Sequence, residues 1–367
     1  MRFSINQNEL SNALSIVSKA LSTRSTLPIL SGIYIKAIND NVVFQATNLE
    51  SSVQYTAKAL VEESGEIVAP GKLLNGIIKN LPDASVQISS SSNDSMSIDC
   101  KDASFNVRAL DANDFPAFPE VAVVQSVELP FTLLTSMAKK VIRVAARDDN
   151  HMIPPGVLIE IEEDIIKLVA SDSYRLAIAQ QKLKDSIEEP FSAIIATDFL
   201  NDVIGMNKTD DAVVLSLSEN QIIITYQNVI CINRRIEGKF PNYRRLIPDT
   251  YTTRVVFNRD DLTASVKRAS LMGTAITPVK FTVNCQSGIT NISSSAQDIG
   301  SVNESVICKA EGEPIEIAFN SAYVIDGLTA SGVDELALET TSPLKPGIFK
   351  TPQTDEYIYL VMPVRIS

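Results

Sequence analysis

The feature that most constrains the fold is an internal repeat that divides the chain into three parts. Three segments, each an apolar strand followed by an amphipathic helix, align on Leu10, Leu134 and Leu262. Apolar positions recur four and seven residues after each of these leucines, which is the spacing of one helix face. A chain that repeats such a unit folds as tandem copies of one small domain.

A second unit of strand, turn and helix also recurs in each third, and alternating strand patterns follow it. Its three copies read EIVAPGKLLNGIIKNL, AIIATDFLNDVIGM and EIAFNSAYVIDGLTA. The stretches DANDFPAFPEV and EGKFPNYRRLIP close the first two copies, and VMPVRIS closes the third. The sequence therefore predicts an α+β fold of three tandem copies of a two-helix, antiparallel-sheet domain. The predicted domains cover residues 1–122, 127–248 and 253–367.

The composition limits the class of protein. With 367 residues, of which 45% are hydrophobic, the chain can bury several cores. Its apolar stretches are shorter than the roughly 18 residues of a membrane span, so we expect a cytosolic protein with no membrane partner. Four scattered cysteines and one histidine match no metal-ligand spacing, so no metal and no cofactor are expected.

The charge is unevenly distributed along the chain. The net charge of −12 by itself argues against nucleic acid as a partner. Many bases nevertheless fall on or just after the predicted helices, while the acids concentrate in strands and loops. These bases are Lys19, Arg24, Lys72, Lys79, Lys139, Lys140, Arg143, Arg147, Lys267 and Arg268. The split indicates a basic helical face on an acidic body, although the solvated face of an ordinary surface helix has the same composition.

A geometric estimate relates the number of helices to a ring. Six helices side by side, as from one chain, enclose a hole only about 7 Å wide. Twelve helices, from two copies, enclose about 24 Å, which exceeds the width of duplex DNA, roughly 20 Å. A head-to-tail pair of chains is therefore wide enough to surround a double helix.

Several motifs carry a resemblance that covers essentially the whole chain. They are TLPIL at 26–30, TNLE at 47–50, DFPAFP at 114–119, ASDSYRLA at 170–177, FPNYRRLIP at 240–248 and the terminal YLVMPVR. With these motifs and the threefold repeat, the chain resembles the bacterial DNA polymerase III beta subunit, the DNA sliding clamp.

The resemblance implies that each chain is half of a closed ring, a head-to-tail homodimer of clamp domains that encircles double-stranded DNA without reading its sequence. It also implies a non-catalytic accessory factor of the bacterial cytoplasm, associated with the nucleoid. The implied protein partners are the replicative polymerase catalytic subunit, the clamp loader and repair polymerases, each bound through a short peptide motif.

Three sets of residues follow from the resemblance. The DNA-facing set contains Arg24, Lys72 and Arg147, and the basic helical face adds Lys139. The partner-peptide cleft comprises Ser171, Tyr174, Arg175, Leu176, Pro241, Arg245, Leu246, Pro343, Leu360, Met362 and Pro363, an apolar pocket with a basic rim. The dimer interface comprises Leu271 and Met272 of one copy facing Ile78, Leu81 and Phe105 of the other. Without the resemblance, Leu176, Leu246 and Met362 would be read as ordinary interdomain core. For Leu271 and Met272, core within their own chain stays an open alternative.

This chain departs from the family pattern near the expected cleft. Ser171, Ser173 and Tyr174 stand where many relatives have Thr, Gly and His. Pro154-Pro155 replaces a commoner Leu-Asn pair. The resemblance therefore specifies the location of the cleft better than its shape.

Two other classes of function compete with the clamp. Ser136 and Lys139 form the S-x-x-K spacing of a serine hydrolase, but no K-T-G element follows and Ser136 lies on a repeated helix. His151 stands alone beside two aspartates, and no nucleotide-binding motif occurs. A repeat-built scaffold that never touches DNA is excluded less firmly than an enzyme.

Overall fold

The computed structural model describes residues 1–22, 27–92, 94–146, 153–206, 211–272 and 278–365. The chain forms two compact units. The first contains residues 1–132 and 202–235, and the second contains residues 133–201 and 236–367. The central third of the chain contributes to both units, so these units do not coincide with the three predicted domains, whose boundaries stay predictions.

Antiparallel strands dominate the secondary structure. The first third contains β1 Arg2–Asn6, β2 Gly32–Ile38, β3 Asn41–Thr47, β4 Ser51–Lys58, β5 Leu60–Glu63, β6 Gly65–Pro70, β7 Ser85–Ser92, β8 Ser95–Cys100 and β9 Ala103–Arg108. The middle third contains β10 Gln125–Pro130, β11 Gly156–Glu162, β12 Ile165–Ser171, β13 Arg175–Lys182, β14 Phe191–Ala196, β15 Ala212–Leu217, β16 Gln221–Tyr226 and β17 Val229–Arg234. The last third contains β18 Thr253–Asn258, β19 Pro278–Asn284, β20 Ile289–Ala296, β21 Gly300–Gly312, β22 Ile315–Asn320, β23 Glu335–Thr340, β24 Gly347–Lys350 and β25 Tyr357–Val361.

Six α-helices occur within the described ranges, each directly after a strand. They are α1 Gln7–Val17, α2 Gly71–Lys79, α3 Phe131–Val141, α4 Thr197–Ile204, α5 Arg259–Ser270 and α6 Ser321–Ser331. The aligned leucines Leu10, Leu134 and Leu262 are all fully buried, which confirms the predicted helix faces. Burying a leucine side chain contributes about 1.5–3 kcal/mol, so each helix is held mainly by its apolar face.

Asparagine residues start three of these helices. Asn6, Asn258 and Asn320 each end a strand, and their side-chain oxygens accept hydrogen bonds from the free backbone N–H groups of the next turn. Asp260 and Asp261 add negative charge to the first turn of α5, where the helix dipole favours it. The strand-to-helix junction is thus encoded locally.

The first unit contains two sheets. One has the strand order β5-β1-β7-β8-β9, and the other has the order β10-β15-β16-β17-β4-β3-β2-β6. In the second sheet β17 pairs antiparallel with β4, with Cys231 opposite Val53. This pairing joins strands that are far apart in the sequence.

The second unit contains one sheet of twelve strands, in the order β14-β11-β12-β13-β25-β24-β23-β18-β21-β20-β19-β22. Its distant joint is the antiparallel pairing of β13 with β25, where Leu176 stands opposite Leu360. Strand β21 is long and has two partners. Its residues 300–307 pair with β20, and its residues 308–312 pair with β18.

Candidate functional site

A row of side chains crosses four neighbouring strands of the second unit. Ser171 pairs with Leu176, Leu176 pairs with Leu360, and Leu360 pairs with Ile348. Directly paired residues of antiparallel strands lie on the same face of a sheet. Ser171, Leu176 and Leu360 are all at most 5% exposed, so three of the predicted cleft residues form one buried floor on this face of the sheet.

A larger apolar cluster continues this floor. Its buried members are Leu158, Val169, Leu176, Ile178, Ile194, Tyr243, Ile348 and Leu360, with Ile236, Phe240, Ile247 and Ile358 packed against them. The segment 236–247 therefore covers part of the sheet face. The sequence pattern identified this segment as the end of a repeat, and the family resemblance placed Pro241, Arg245 and Leu246 of it in the cleft.

Tyr243 anchors the covering segment. Its hydroxyl donates a hydrogen bond of 2.6 Å to Glu160 Oε2, and Phe240 packs edge-on against its ring. Burial raises the pKa of the Tyr243 hydroxyl, and the bond to the Glu160 carboxylate raises it further. Arg244 also contacts this carboxylate, at 3.4 Å. Sequence reasoning missed Tyr243 and Glu160, because nothing in the strand pattern of β11 distinguishes Glu160 from a solvated residue.

An open cavity of about 260 Å³ lies beside Tyr243. It is lined by Glu160, Glu162, Glu163, Ile165, Lys167 and Arg244. Its charged lining contrasts with the apolar floor described above.

Several predicted cleft residues remain exposed beside the buried floor. Leu246, in the short turn Tyr243–Leu246, is 52% exposed, and Met362 is 43% exposed. Arg245 and Pro343 are exposed, while Pro241 and Pro363 are partly buried. Exposed apolar side chains at the margin of an apolar floor suit a short peptide with hydrophobic anchors.

Arg175 lies on the opposite face of the sheet from this floor. Successive residues of a strand point to opposite faces, so Arg175 and Leu176 cannot line one surface together. The side chain is only 10% exposed, and its guanidinium bonds Asp172 at 2.8 Å and Asp326 at 2.7 Å. It also stacks on the Tyr323 ring at 4.3 Å and donates to the Arg143 carbonyl at 3.1 Å. The predicted basic rim therefore has to come from other residues.

The environment of Arg175 keeps it charged. Burial alone would lower the pKa of the guanidinium, but Tyr359, Asp326 and Asp172 together raise it above its usual value. The cation links a turn, a helix and a strand of the second unit. Its role in this structure is to hold these elements in place.

The turn between β12 and β13 presents Tyr174 to solvent. Asp172 Oδ1 accepts hydrogen bonds from the backbone N–H groups of Tyr174 and Arg175, at 3.1 and 3.0 Å. Ser171 Oγ donates to the Arg175 carbonyl at 2.8 Å, and Ser173 has a positive φ of 75°. Tyr174 is 56% exposed, and its carbonyl accepts a hydrogen bond from the Met362 N–H at 2.9 Å. The turn thus brings Tyr174 and Met362 together.

The two described members of the predicted DNA-facing set, Lys72 and Lys139, are exposed. Lys72 stands in the first turn of α2, where the helix dipole disfavours a cation, so helix stability does not explain its position. Lys139 is exposed in the last turn of α3. Arg24 and Arg147 lie outside the described residues.

Some other bases of the predicted basic helical face are paired with acids. Lys19 lies 3.2 Å from Asp202, Arg143 lies 3.8 Å from Asp326, and Arg268 lies 2.5 Å from Glu304. Counting bases in the sequence therefore overestimates the free positive charge of the helices.

The predicted dimer-interface residues divide into two groups. Ile78 and Leu81 are buried within their own unit, at 0% and 8% exposure. Phe105 and Leu271 are 37% and 71% exposed, and Met272 is partly buried. Only the second group offers side chains to another molecule in this conformation.

The hydroxyl of the hydrolase alternative is bound to the backbone. Ser136 Oγ donates to the Leu133 carbonyl at 2.9 Å, as serines in helices commonly do. Within the described ranges, no cluster of three His, Cys, Asp or Glu side chains could hold a metal ion. No described helix is long and apolar enough to span a membrane.

Comparison with solved structures defines the class of fold. The structure matches a DNA polymerase sliding clamp from Bacillus subtilis with a TM-score of 0.95 and 27% identity, over the whole of both chains. It matches the DNA polymerase III beta subunit of Thermotoga maritima with a TM-score of 0.92 and 28% identity, again over both whole chains. The fold is therefore the three-domain sliding clamp fold.

Comparison of sequences defines the family. Models of the N-terminal, central and C-terminal domains of the DNA polymerase III beta subunit match residues 1–119, 128–242 and 244–365. The beta sliding clamp of Synechocystis is 30% identical over the whole of both chains, and that of Staphylococcus epidermidis is 29% identical over 100% of this chain and 99% of its own. The chain belongs to the DNA polymerase III beta subunit family, the sliding clamps of DNA replication.

Proposed function

We propose that two copies of this chain pair head to tail into a closed ring around duplex DNA, and that the ring is a non-catalytic processivity factor. Each copy supplies three two-helix domains, with boundaries near those of the sequence repeat. The ring tethers the replicative polymerase, and the clamp loader and repair polymerases use the same peptide cleft. The ring acts in the cytoplasm, at the nucleoid.

The observation that carries this proposal is a pairing of edge strands from two different thirds of the sequence, which occurs twice within the chain. Such a pairing is called a joint below. The pairs β17–β4 and β25–β13 are both antiparallel, and both join strands from different thirds of the sequence. Strand β9 occupies the repeat position of β17 and β25, but it is the edge of its sheet as described. Residues 300–307 of β21 occupy the position of β4 and β13, and among the described strands they pair on one side only, with β20.

One copy therefore leaves one unused strand edge of each kind. An unpaired strand edge is a template for pairing with another chain. When two copies join head to tail, β9 of each copy pairs with residues 300–307 of the other copy. Both kinds of edge are then paired at both joints between the copies, and the ring is closed. Continuing the register in which Cys231 stands opposite Val53 sets Phe105 of one copy opposite Val302 of the other. The 37% exposure of Phe105 supports this assignment.

The DNA needs only weak contacts in such a ring, because escape requires opening a joint. Exposed bases such as Lys72 and Lys139 attract phosphates without reading base edges, and this leaves the ring free to slide. Arg24 and Arg147 extend the same set in the sequence. The net charge of −12 discourages DNA from binding the outside of the ring.

The apolar floor supports the tethering role. Leu176 and Leu360 provide a preformed surface, and Leu246 and Met362 remain exposed at its margin. A short extended peptide with apolar anchors buries these side chains without reorganising the sheet. The cleft set also includes Ser171, Tyr174, Pro241, Arg245, Pro343 and Pro363, whereas Arg175 supports the site from the other face.

Retention on circular and linear DNA tests the ring. The protein is loaded onto a nicked circular plasmid with a bacterial clamp loader and ATP, and the complex is separated from free protein by gel filtration. We expect the clamp to stay on the circle, including at salt concentrations that dissociate simple phosphate contacts, and to be lost when the plasmid is cut at one site. Equal retention on the cut and uncut plasmid would contradict the proposal.

A further inference from the structure

Two ion pairs accompany the two strand joints within the chain. Lys19 Nζ lies 3.2 Å from Asp202 Oδ1, and Arg143 Nη1 lies 3.8 Å from Asp326 Oδ1. The bases occupy equivalent positions, nine residues after the aligned Leu10 and Leu134 and in the short turn that follows α1 or α3. The acids are also equivalent, because each is the sixth residue of its helix, α4 or α6.

The same two positions in the remaining helices carry no charge. Nine residues after the aligned Leu262 comes Leu271, in the tight turn that ends α5, and the sixth residue of α2 is Gly76. The Leu271 and Met272 N–H groups bond back to Arg268 and Ala269, three residues earlier, as in a 3₁₀ turn. An aliphatic side chain and a glycine thus replace the base and the acid.

Gly76 has no explanation within its own subunit. Glycine is among the poorest helix formers, so a glycine inside an exposed helix needs a reason. A Cβ placed at Gly76 would meet nothing within 4 Å. In α6, by contrast, a Cβ at Gly327 would meet the Tyr359 ring at 2.3 Å. Packing inside the subunit requires glycine at 327 and not at 76.

The apolar side chains at and beside these positions are exposed to solvent. Leu271 is 71% exposed and Leu73, on the same helix as Gly76, is 53% exposed. The residues that correspond to Leu73 on the other second helices are more enclosed, since Phe199 is 6% exposed and Tyr323 is partly buried. Exposed leucines on two elements that the proposed ring brings together indicate surfaces that a second copy covers.

We infer that the Leu271 side chain of one copy packs beside Leu73 of the other copy, into the notch that the missing side chain of Gly76 leaves on α2. This apolar contact takes the place of the ion pair found at each of the two joints within the chain. This inference rests on the proposed ring. Because apolar burial does not depend on counter-ions, this contact holds at salt concentrations that weaken an exposed ion pair. The joint between the two copies, which must open for loading, is thereby held by an apolar contact. The two joints within the chain, which must stay closed, carry an ion pair instead.

A double-mutant cycle on the full chain tests the contact. Leu271→Ala, Gly76→Leu and the combination are compared with the unmodified protein by sedimentation equilibrium. Losing a buried leucine weakens each joint about tenfold, so Leu271→Ala should weaken a dimer with two joints about a hundredfold. Gly76→Leu fills the notch and should weaken the dimer to a similar extent. The combination restores space for the larger side chain, so its loss should fall well below the product of the single losses.

A charge exchange makes the test specific. Gly76→Asp with Leu271→Lys recreates the residue types of the internal joints, so we expect a dimer at low salt that dissociates as salt is raised. The dimer of the unmodified protein should change little over the same range. Leu60→Ala, at a leucine that is 66% exposed on β5, serves as the matched control and should leave the dimer unaltered.

The outcomes separate the inference from the ring itself. A protein that stays monomeric at every concentration overturns both. A dimer in which the two substitutions act independently overturns only the seating of Leu271 on Gly76. Thermal melting checks the fold of each variant. If Gly76→Leu melts at a lower temperature, Gly76→Ala, which a helix tolerates better than glycine, takes its place in the cycle with the same expected coupling to Leu271.

Discussion

Single residues in this protein act according to the face of the sheet on which they lie. Arg175 and Leu176 are neighbours in the sequence, and the family resemblance assigns both to the peptide cleft. Strand geometry separates them, because Leu176 enters the apolar floor while Arg175 bonds Asp172 and Asp326 on the helix side. A substitution of Leu176 should therefore alter the apolar floor, whereas a substitution of Arg175 should remove the ion pairs on the helix side.

Replacing Arg175 should destabilise the second unit. Arg175→Ala leaves Asp172 without its cation and Asp326 with only the more distant Arg143, and should lower the free energy of unfolding by about 3 kcal/mol. Arg175→Lys should recover only part of this loss, because an ammonium cannot reproduce the fork of bonds to both carboxylates. Urea denaturation of the full chain measures the effect. Arg245→Ala, at an exposed arginine, is the control and should change stability by less than about 0.5 kcal/mol. Unchanged stability of Arg175→Ala would contradict the assigned role.

Among the elements, the turn between β12 and β13 stores backbone strain. Ser173 adopts a φ of 75°, a left-handed conformation that costs a residue with a Cβ about 1–2 kcal/mol. The hydrogen bonds of Asp172 hold the turn in this shape. This shape places the Tyr174 carbonyl where it accepts the hydrogen bond from the Met362 N–H, beside the candidate cleft.

Relieving this strain should stabilise the protein. Ser173→Gly removes the steric cost and adds some entropy to the unfolded chain, so the net gain should be about 0.5–1 kcal/mol. Thermal unfolding should show a higher midpoint. Ser173→Ala keeps the Cβ and should give no such gain. If the two substitutions behave alike, the strain at this turn is not the cause.

Junctions of strand and helix are the elements that the sequence predicted best. The aligned leucines are buried where the helical spacing places them, and the asparagines before α1, α5 and α6 cap these helices. The segment 236–247 is harder to predict, because it has little regular secondary structure and its position depends on the sheet that it packs against. Its anchor, the bond from Tyr243 to Glu160, joins residues that are distant in the sequence.

For the molecule as a whole, tyrosine hydroxyls that are wholly or partly buried link folding to pH. The pKa is raised, mainly by burial, for seven of the nine tyrosines, Tyr34, Tyr55, Tyr226, Tyr243, Tyr323, Tyr357 and Tyr359. A group whose pKa is raised on folding stabilises the folded state below its unfolded pKa, which is about 10 for tyrosine. This contribution is lost as the pH rises through the folded pKa.

Alkaline titration should therefore unfold the protein cooperatively. We expect the phenolate absorbance of these tyrosines to appear above about pH 10, together with the loss of secondary structure by circular dichroism. Tyr357→Phe removes one fully buried hydroxyl, so the alkaline transition should move to higher pH. The same change loses the hydrogen bond to the Gly327 carbonyl and should slightly weaken the fold at neutral pH. Ionisation of all nine tyrosines before any unfolding would refute this prediction.

The sequence alone determined the repeat, the helix faces and the caps, because these depend on residues a few positions apart. It also carried the motifs of the sliding clamp family. Only the tertiary structure decided which side chains share a surface, which strand edges stay unpaired and which bases are neutralised by acids. These properties depend on pairings such as β17 with β4 and β13 with β25, between residues more than a hundred positions apart. No local pattern specifies such contacts, since they form only when the whole chain has buried its apolar surface.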